Sequence, residues 1–211
     1  MIKSSRVDAV LLAAGRSTRM GPSNKLLQSI NDLTLLQWVL NVAVDSNIRQ
    51  TLVVTGHESQ EVAREISGLI NQSECKVIHN PDYNQGIGNS IGAGIRHLPD
   101  NSEGVLIMLA DMPDIKSSTI NHLIDSFYKT GKSRICVPVF QGKRGNPVLW
   151  PALLFSDLAG IKGDRGGRTL FKQYESCILN CEVPDDSIHK DIDTPEQLTS
   201  RQQSSKNTPN Q

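Results

Sequence analysis

Short apolar runs alternate with longer stretches of helical period along most of this chain. Val7-Asp8-Ala9-Val10-Leu11-Leu12-Ala13 is a strand-like run that empties into small residues, and Leu35 to Val44 is an amphipathic helix candidate. Leu52-Val53-Val54-Thr55 again has strand character, Gln60 to Ile70 is amphipathic, and Lys76-Val77-Ile78-His79 is the next strand candidate. A glycine-rich loop and a helix ending near Leu98 follow. Val105-Leu106-Ile107-Met108-Leu109 is continuous and apolar, as expected of a strand buried on both faces. Thr119 to Tyr128 has helical period, and Ile135-Cys136-Val137-Pro138-Val139 reads as a strand. This rhythm predicts an α/β fold with a mostly parallel sheet between helices, and ligands in such sheets bind at the carboxyl ends of strands. After Val139, Gln141-Gly142-Lys143-Arg144 reads as a hairpin turn into Pro147-Val148-Leu149-Trp150, a small antiparallel excursion.

Composition narrows the functional classes. No repeat or linker divides the 211 residues, so residues 1–200 are expected to form one domain and 201–211 a disordered polar tail. The 22 basic and 22 acidic residues balance, which gives no argument for a nucleic-acid partner. No apolar run approaches the ~20 residues of a membrane span. Met1 to Arg6 lead into the first strand with no signal-peptide pattern, so a cytoplasmic location is expected. The cysteines at 75, 136, 177 and 181 lack metal-ligand spacing and read as reduced, packed thiols. The histidines are scattered singly; His57 and His79, at strand ends, are the two that could line a site.

The chemistry begins in the loop after the first strand, Leu12-Ala13-Ala14-Gly15-Arg16-Ser17-Thr18-Arg19-Met20-Gly21-Pro22-Ser23-Asn24-Lys25. Glycine lets main-chain N–H groups approach phosphate oxygens, and Arg and Lys balance the charge. A Walker loop needs Lys directly after the second Gly, yet Pro22, Ser23 and Asn24 intervene. Neither this loop nor Gly86-Ile87-Gly88-Asn89-Ser90-Ile91-Gly92 has dinucleotide-fingerprint spacing. A nucleoside triphosphate loop of another type is the reading that remains.

Asp111 directly follows the buried strand, where a carboxylate can hold Mg²⁺ that also bridges phosphates. Asp114, beyond Pro113, is expected to serve the next helix N-terminus. In Asp191-Ile192-Asp193-Thr194-Pro195, alternation would put both carboxylates on one side; Asp193 is the candidate second ligand and Thr194-Pro195 a helix start. Gly86, Ser90 and Gly94 share a helix face, which suits either close helix–sheet packing or approach of a base or ribose. Gly142-Lys143-Arg144-Gly145-Asn146-Pro147 and Gly163-Asp164-Arg165-Gly166-Gly167-Arg168 set Arg among glycines, as an anionic second substrate would require.

Together these motifs resemble the nucleotidyltransferases that mature the molybdenum cofactor, the cytidylyltransferase branch more closely than the guanylyltransferase branch. The matching pieces, in family order, are LAAGRSTRMGPSNKLL (12–27), GxxxSxxxG (86–94), LADMP (109–113), KRGNPVLW (143–150), GDRGGR (163–168) and DIDTPEQL (191–198). The resemblance implies a three-layer, Rossmann-like sheet of the nucleotide-diphospho-sugar transferase type. It implies that Leu12, Ala13, Ala14 and Gly15 line the nucleotide, and that Arg19 and Lys25 hold the triphosphate. Ser90 would then lie near the base or ribose, with Asp111 and Asp193 binding Mg²⁺. Arg144, Asn146, Asp164, Arg165 and Arg168 would face a molybdopterin acceptor. The guanylyl branch carries a second Gly where this chain has Ala14, which leans the choice toward CTP. The implied catalytic group is Arg19, Lys25 and Asp111, and a recipient molybdoenzyme is an implied partner. Alternatives at this stage are GTP, another phosphorylated acceptor, a non-catalytic cofactor carrier, and a nucleotide-sensing regulator.

Overall fold

The computed structural model describes residues 5–15, 24–70, 75–194 and 196–200. In chain order it contains β1 (Val7–Ala13), the short pair β2 (Ser29–Ile30) and β3 (Leu33–Thr34), α1 (Leu35–Val44), β4 (Thr51–Thr55), α2 (Ser59–Glu65), α3 (Ser67–Ile70) and β5 (Cys75–His79). Then come α4 (Ile87–Ile95), β6 (Gly104–Leu109), α5 (Ser117–Lys129), β7 (Ile135–Phe140), β8 (Lys143–Arg144), β9 (Val148–Pro151), α6 (Phe155–Ala159) and β10 (Ile178–Glu182). Among the described residues, the main sheet runs β10-β7-β9-β6-β1-β4-β5, with β8 added beside β7. β1 is parallel to β4 and β6, β4 to β5, and β7 to β10; β9 runs antiparallel to both β6 and β7.

Period-two alternation sorts the strand residues onto two cores. Ala9 and Leu11 of β1 pack with Leu36 and Leu40 of α1 and with Leu123 and Phe127 of α5. Val10, between them, packs on the opposite face with Ile91 of α4 and Leu158 of α6. The strands are therefore buried on both faces, which is why their sequences are nearly continuous in apolar residues.

Local signals account for several boundaries. α1 starts at a capping box in which Thr34 and Gln37 satisfy each other's main-chain N–H groups. The amphipathic run at 60–70 is two helices rather than one: Ile66, fully buried, leaves helical geometry at φ −101° and ψ 4°. Gln141 and Gly142, at φ 49° and 76°, make the tight turn that joins β7 to β8. The antiparallel excursion goes further than a surface hairpin, because Val148–Pro151 inserts between two strands of the sheet.

From β1 the chain steps outward through β4 to β5, then crosses back to β6 on the other side of β1. The carboxyl ends of β1 and β6 therefore flank the switch point where open α/β sheets bind ligands. At the opposite ends of these strands, Asp8 is fully buried. Arg49 grips its carboxylate with Nε at 2.8 Å and Nη2 at 2.6 Å, and Ser102 donates a further hydrogen bond. Arg49→Met would leave Asp8 charged and buried without its cation. Such a loss is expected to cost about 3–5 kcal/mol, read as a lowered urea midpoint at unchanged slope. A variant as stable as the parent would refute this account of the latch.

Candidate functional site

A cavity of about 360 Å³ opens at the switch point. Leu12, Ala14 and Gly15 from the end of β1, Ser90 from α4, Leu109 and Asp111 from the end of β6, and Asp164 all line it. Five candidate nucleotide residues, Leu12, Ala14, Gly15, Ser90 and Asp111, thus line one cavity, together with the acceptor candidate Asp164. Ala13 is buried just behind this wall, in the core under β1. Arg19, together with Arg16 and the rest of segment 16–23, lies outside the described residues, as do Pro195 and the tail 201–211.

Lys25 reaches the site from a single 3-10 turn, Lys25–Leu27, capped by the Asn24 side chain, which accepts from the Leu26 N–H. Leu26 is buried beneath and holds the turn to the core. The Lys25 ammonium donates to Asp111 Oδ2 at 2.8 Å, Asp193 Oδ1 at 2.8 Å and the Ile192 carbonyl at 2.9 Å. Asp193 is set by its neighbours: the Ile192 N–H donates to the Asp111 carbonyl, and the Asp193 and Thr194 N–H groups donate to Gln197 Oε1. The helical stretch 196–200 starts there, with Thr194 Oγ1 accepting from the Gln197 N–H. Asp191 does not share the position of Asp193: it lines another surface depression with Pro113, Asp114 and His189. The Lys116 cap of α5 stands two residues beyond Asp114.

Burial alone would lower the Lys25 pKa, but the charges and hydrogen bonds of Asp111 and Asp193 more than offset it and hold it above the ordinary lysine value. A group raised in the folded state gives stability that is complete below the ordinary lysine range and lost only as pH rises through the raised value. The ion trio is therefore fully formed throughout the neutral range. Asp111 Oδ1 is buried and has no hydrogen-bond partner among the described residues. Two carboxylates, one of them with an orphaned buried oxygen, and a carbonyl oxygen make a donor set suited to a hard divalent cation such as Mg²⁺, which takes one or two carboxylates and completes its shell with water and phosphate. Among the described residues, no cluster of three or more His, Cys, Asp or Glu stands ready to hold a metal by itself.

The glycines of α4 and its approach serve close packing. A Cβ on Gly94 would lie 2.4 Å from Val10 Cγ1, and one on Gly86, at φ 107°, would lie 2.2 Å from the Gly163 carbonyl carbon. Gly88 N–H donates to the Gly163 carbonyl, so the loop bearing Asp164 is tied to the start of α4. Ser90, on the same helix, faces the cavity and accepts a hydrogen bond from Asn80.

A second, more apolar cavity of about 250 Å³ shares Leu12, Ile87 and Leu109 with the first. Asn146, Trp150, Gly167 and Arg168 line it, and Trp150 stacks on Phe171 at 5.6 Å. Partial desolvation at this rim lowers the Arg168 pKa. No ion pair engages Arg168 among the described residues. Arg144 is differently placed: its guanidinium is bound by Glu175 and Asn180 and lies over Phe171, and it lines neither cavity. Arg165 is exposed and lines neither cavity. The two Arg–Gly loops are therefore divided by the fold, with Asn146 and Arg168 at the second cavity and Asp164 at the first.

His57 lies 3.7 Å from Glu58 and neither it nor His79 lines either cavity. The four cysteines are free thiols; Cys75, Cys136 and Cys181 are buried in strands, and Cys177 closes a 3-10 turn before β10. No helix among the described residues is long and apolar enough to cross a membrane. Sequence reasoning missed Asn80, Tyr83 and Trp150. The turn signal Asn80-Pro81-Asp82 and the large aromatic beside Leu149 were the available cues.

Residues 9–177 match the profile of the MobA-like NTP transferase domain. Among curated proteins, the chain is 30% identical over 203 residues to the purine catabolism protein PucB of Bacillus subtilis, covering 93% of this chain and 96% of that protein. It is 28% identical over 205 residues to the molybdenum cofactor cytidylyltransferase of Escherichia coli, covering 91% and 93%. Among solved structures, the rv0371c homolog from Mycobacterium sp. strain JC1 superposes with a TM-score of 0.80 at 26% identity, over 94% of this chain and 96% of that one. The layered, mostly parallel sheet is that of the nucleotide-diphospho-sugar transferases.

Lys25→Met tests the ion trio directly, because it removes the cation from between two carboxylates. A loss of about 1–3 kcal/mol is expected in urea unfolding, and added Mn²⁺ is expected to restore part of it. A variant whose midpoint does not respond to Mn²⁺ would show that Asp111 and Asp193 do not make a cation site.

Proposed function

The chain belongs to the MobA-like NTP transferase family, and we propose that it transfers CMP from CTP to the terminal phosphate of molybdopterin, releasing pyrophosphate. The observation that carries this reading is that the end of β1, Ser90 and Asp111 line one cavity at the switch point, while Lys25 binds Asp111 and joins it to Asp193. Nucleotidyl transfer is the activity of the family, and the likeness to the Escherichia coli cytidylyltransferase supports the choice of CTP and of a molybdopterin acceptor. Ala14 supports it from within the chain, since it lines the cavity at the position that leans toward CTP.

In this reading the CTP phosphates meet the chain at Ala14 and Gly15, and Lys25, with Arg19 as the resemblance implies, balances their charge. The acceptor phosphate is already an anion, so the protein needs no strong base. Its task is to bring two anions into line and to neutralise the charge that builds on the departing pyrophosphate. Orientation alone can supply about 7–11 kcal/mol of a barrier. Lys25, held charged by its partners, is the fixed cation for that purpose. Asp111 and Asp193 would hold Mg²⁺, which supplies charge neutralisation at phosphate oxygens when bound. The apolar second cavity, with Asn146 and Arg168 at its edge, suits an acceptor that joins a flat ring system to a phosphate. Arg144 fits that role poorly because Glu175 already claims it.

Pyrophosphate release with CTP and GTP, each with and without molybdopterin, tests the proposal. Release that requires molybdopterin and is faster with CTP is expected; release with GTP alone, or with a different acceptor alone, would overturn it. Asp111→Ala and Lys25→Ala are each expected to lower turnover by at least about a hundredfold, on the scale of removing one charge-stabilising contact. Near-normal release by either folded variant would remove that residue from the catalytic group.

A further inference from the structure

Asn80 follows β5 directly and is buried. Its main-chain N–H donates to the Thr55 carbonyl at 2.8 Å, which fixes the backbone against the end of β4. The Asp82 N–H donates to Asn80 Oδ1 at 3.1 Å. That bond determines which way round the amide sits, because only an oxygen can accept it. The other end of the amide, Nδ2, therefore faces Ser90 and donates to its Oγ at 3.1 Å.

A seryl hydroxyl has one proton and two acceptor lone pairs. Asn80 uses one lone pair and offers none in return, so the Ser90 proton cannot be spent on Asn80. No atom among the described residues accepts that proton. Ser90 is itself buried, and it lines the cavity between α4 and the β1 loop. Its O–H is therefore left to donate into the cavity.

We propose that Asn80 is a specificity-determining, positioning residue: by donating to Ser90, it makes the Ser90 hydroxyl a hydrogen-bond donor toward the bound base. The proposal rests on the reading of this cavity as the CTP site. A donor at this point matches cytosine, whose O2 and N3 are adjacent acceptors. It mismatches the N1–H and N2–H₂ groups of guanine, which are donors. A buried donor facing another donor leaves both unsatisfied, and polar mismatches of this kind discriminate more strongly than size alone.

The test uses Asn80→Asp, which preserves shape and the bond from the Asp82 N–H but replaces the facing donor by an acceptor. The introduced carboxylate is expected to draw the Ser90 proton toward itself and leave lone pairs toward the base. Calorimetric titration of the full chain with CTP and with GTP, each with Mg²⁺, reads the outcome. The parent is expected to prefer CTP, and Asn80→Asp is expected to reduce the CTP-to-GTP affinity ratio by about tenfold or more. Ser90→Ala keeps Asn80 and removes the donor, so it is expected to reduce the same ratio even if Asn80→Asp proves unable to fold. Added to Ser90→Ala, Asn80→Asp is expected to leave the ratio where Ser90→Ala alone puts it, which a merely structural role for Asn80 would not predict. A parent that prefers CTP with the ratio unchanged in folded Asn80→Asp or in Ser90→Ala would overturn this inference and leave the CTP reading intact. A parent that binds neither nucleotide, or prefers GTP, would overturn both.

Discussion

One ammonium group ties the functional end of this protein together. The Lys25 nitrogen touches three oxygens from two distant places in the chain: the loop that follows β6 supplies Asp111, and the segment after β10 supplies Ile192 and Asp193. Each contact is charge-assisted or directed at a carbonyl, and the three lie at 2.8–2.9 Å. Without the ammonium, two carboxylates would face each other across a partly dehydrated cleft. With it, the end of β6, the turn carrying Lys25 and the segment around Ile192 hold one register. The same oxygens are those a hard cation would seek, so the contact that orders the site also marks where the proposed metal would be held.

That trio can form only because the sheet brings its parts to one edge. β1 and β6 are neighbours in register along their length, which sets Gly15 and Asp111 at the same end of the sheet. Helix α4 then has to lie close against β1, and Gly94 allows it to do so against Val10. Close packing of the helix puts Ser90 over the cavity, and the Gly86–Gly163 contact draws the loop with Asp164 to its rim. The small residues on α4 thus have a packing role, and the polar residue among them gains its position from that packing. The two readings of the Gly86, Ser90 and Gly94 spacing are two consequences of one approach distance.

The parts of this structure that were legible in the sequence are those written in local pattern. Continuous apolar runs marked β1, β4 and β6 because both faces of those strands are buried, and the Gln141-Gly142 pair marked a turn because both residues adopt positive φ. Asp111 was legible as a site residue from its place at the end of a buried strand. Asp193 was legible beside it as a second metal ligand, but their joining through the Lys25 ammonium was not, since Lys25 and Asp193 are 168 residues apart and no spacing rule connects them. The insertion of β9 between β6 and β7 was equally hidden, because a strand's neighbours are chosen by the tertiary fold. Arg144, Arg165 and Arg168 look alike in sequence, each among glycines. They part company through contacts with distant residues: Glu175 and Asn180 for the first, the Trp150 cavity for the last. Asp191 and Asp193 diverge for a similar reason, because the bond from the Ile192 N–H to the Asp111 carbonyl pins the chain between them.

Two aspartates, one at each end of the same pair of strands, show how differently one side chain is used. Asp8, at the amino end of β1, is fully buried, with Arg49 at both of its oxygens and Ser102 at one. Asp111, just beyond β6, is partly exposed and keeps one buried oxygen without a partner among the described residues. A buried carboxylate with both oxygens engaged is compatible with a rigid fold, and removing any of its partners is costly. A buried oxygen left unengaged is a standing penalty of about 1–3 kcal/mol unless a ligand relieves it. In the proposed reading, binding of a cation and a nucleotide would draw on a cost already present in the free protein, which is the energetic form of a preorganised site.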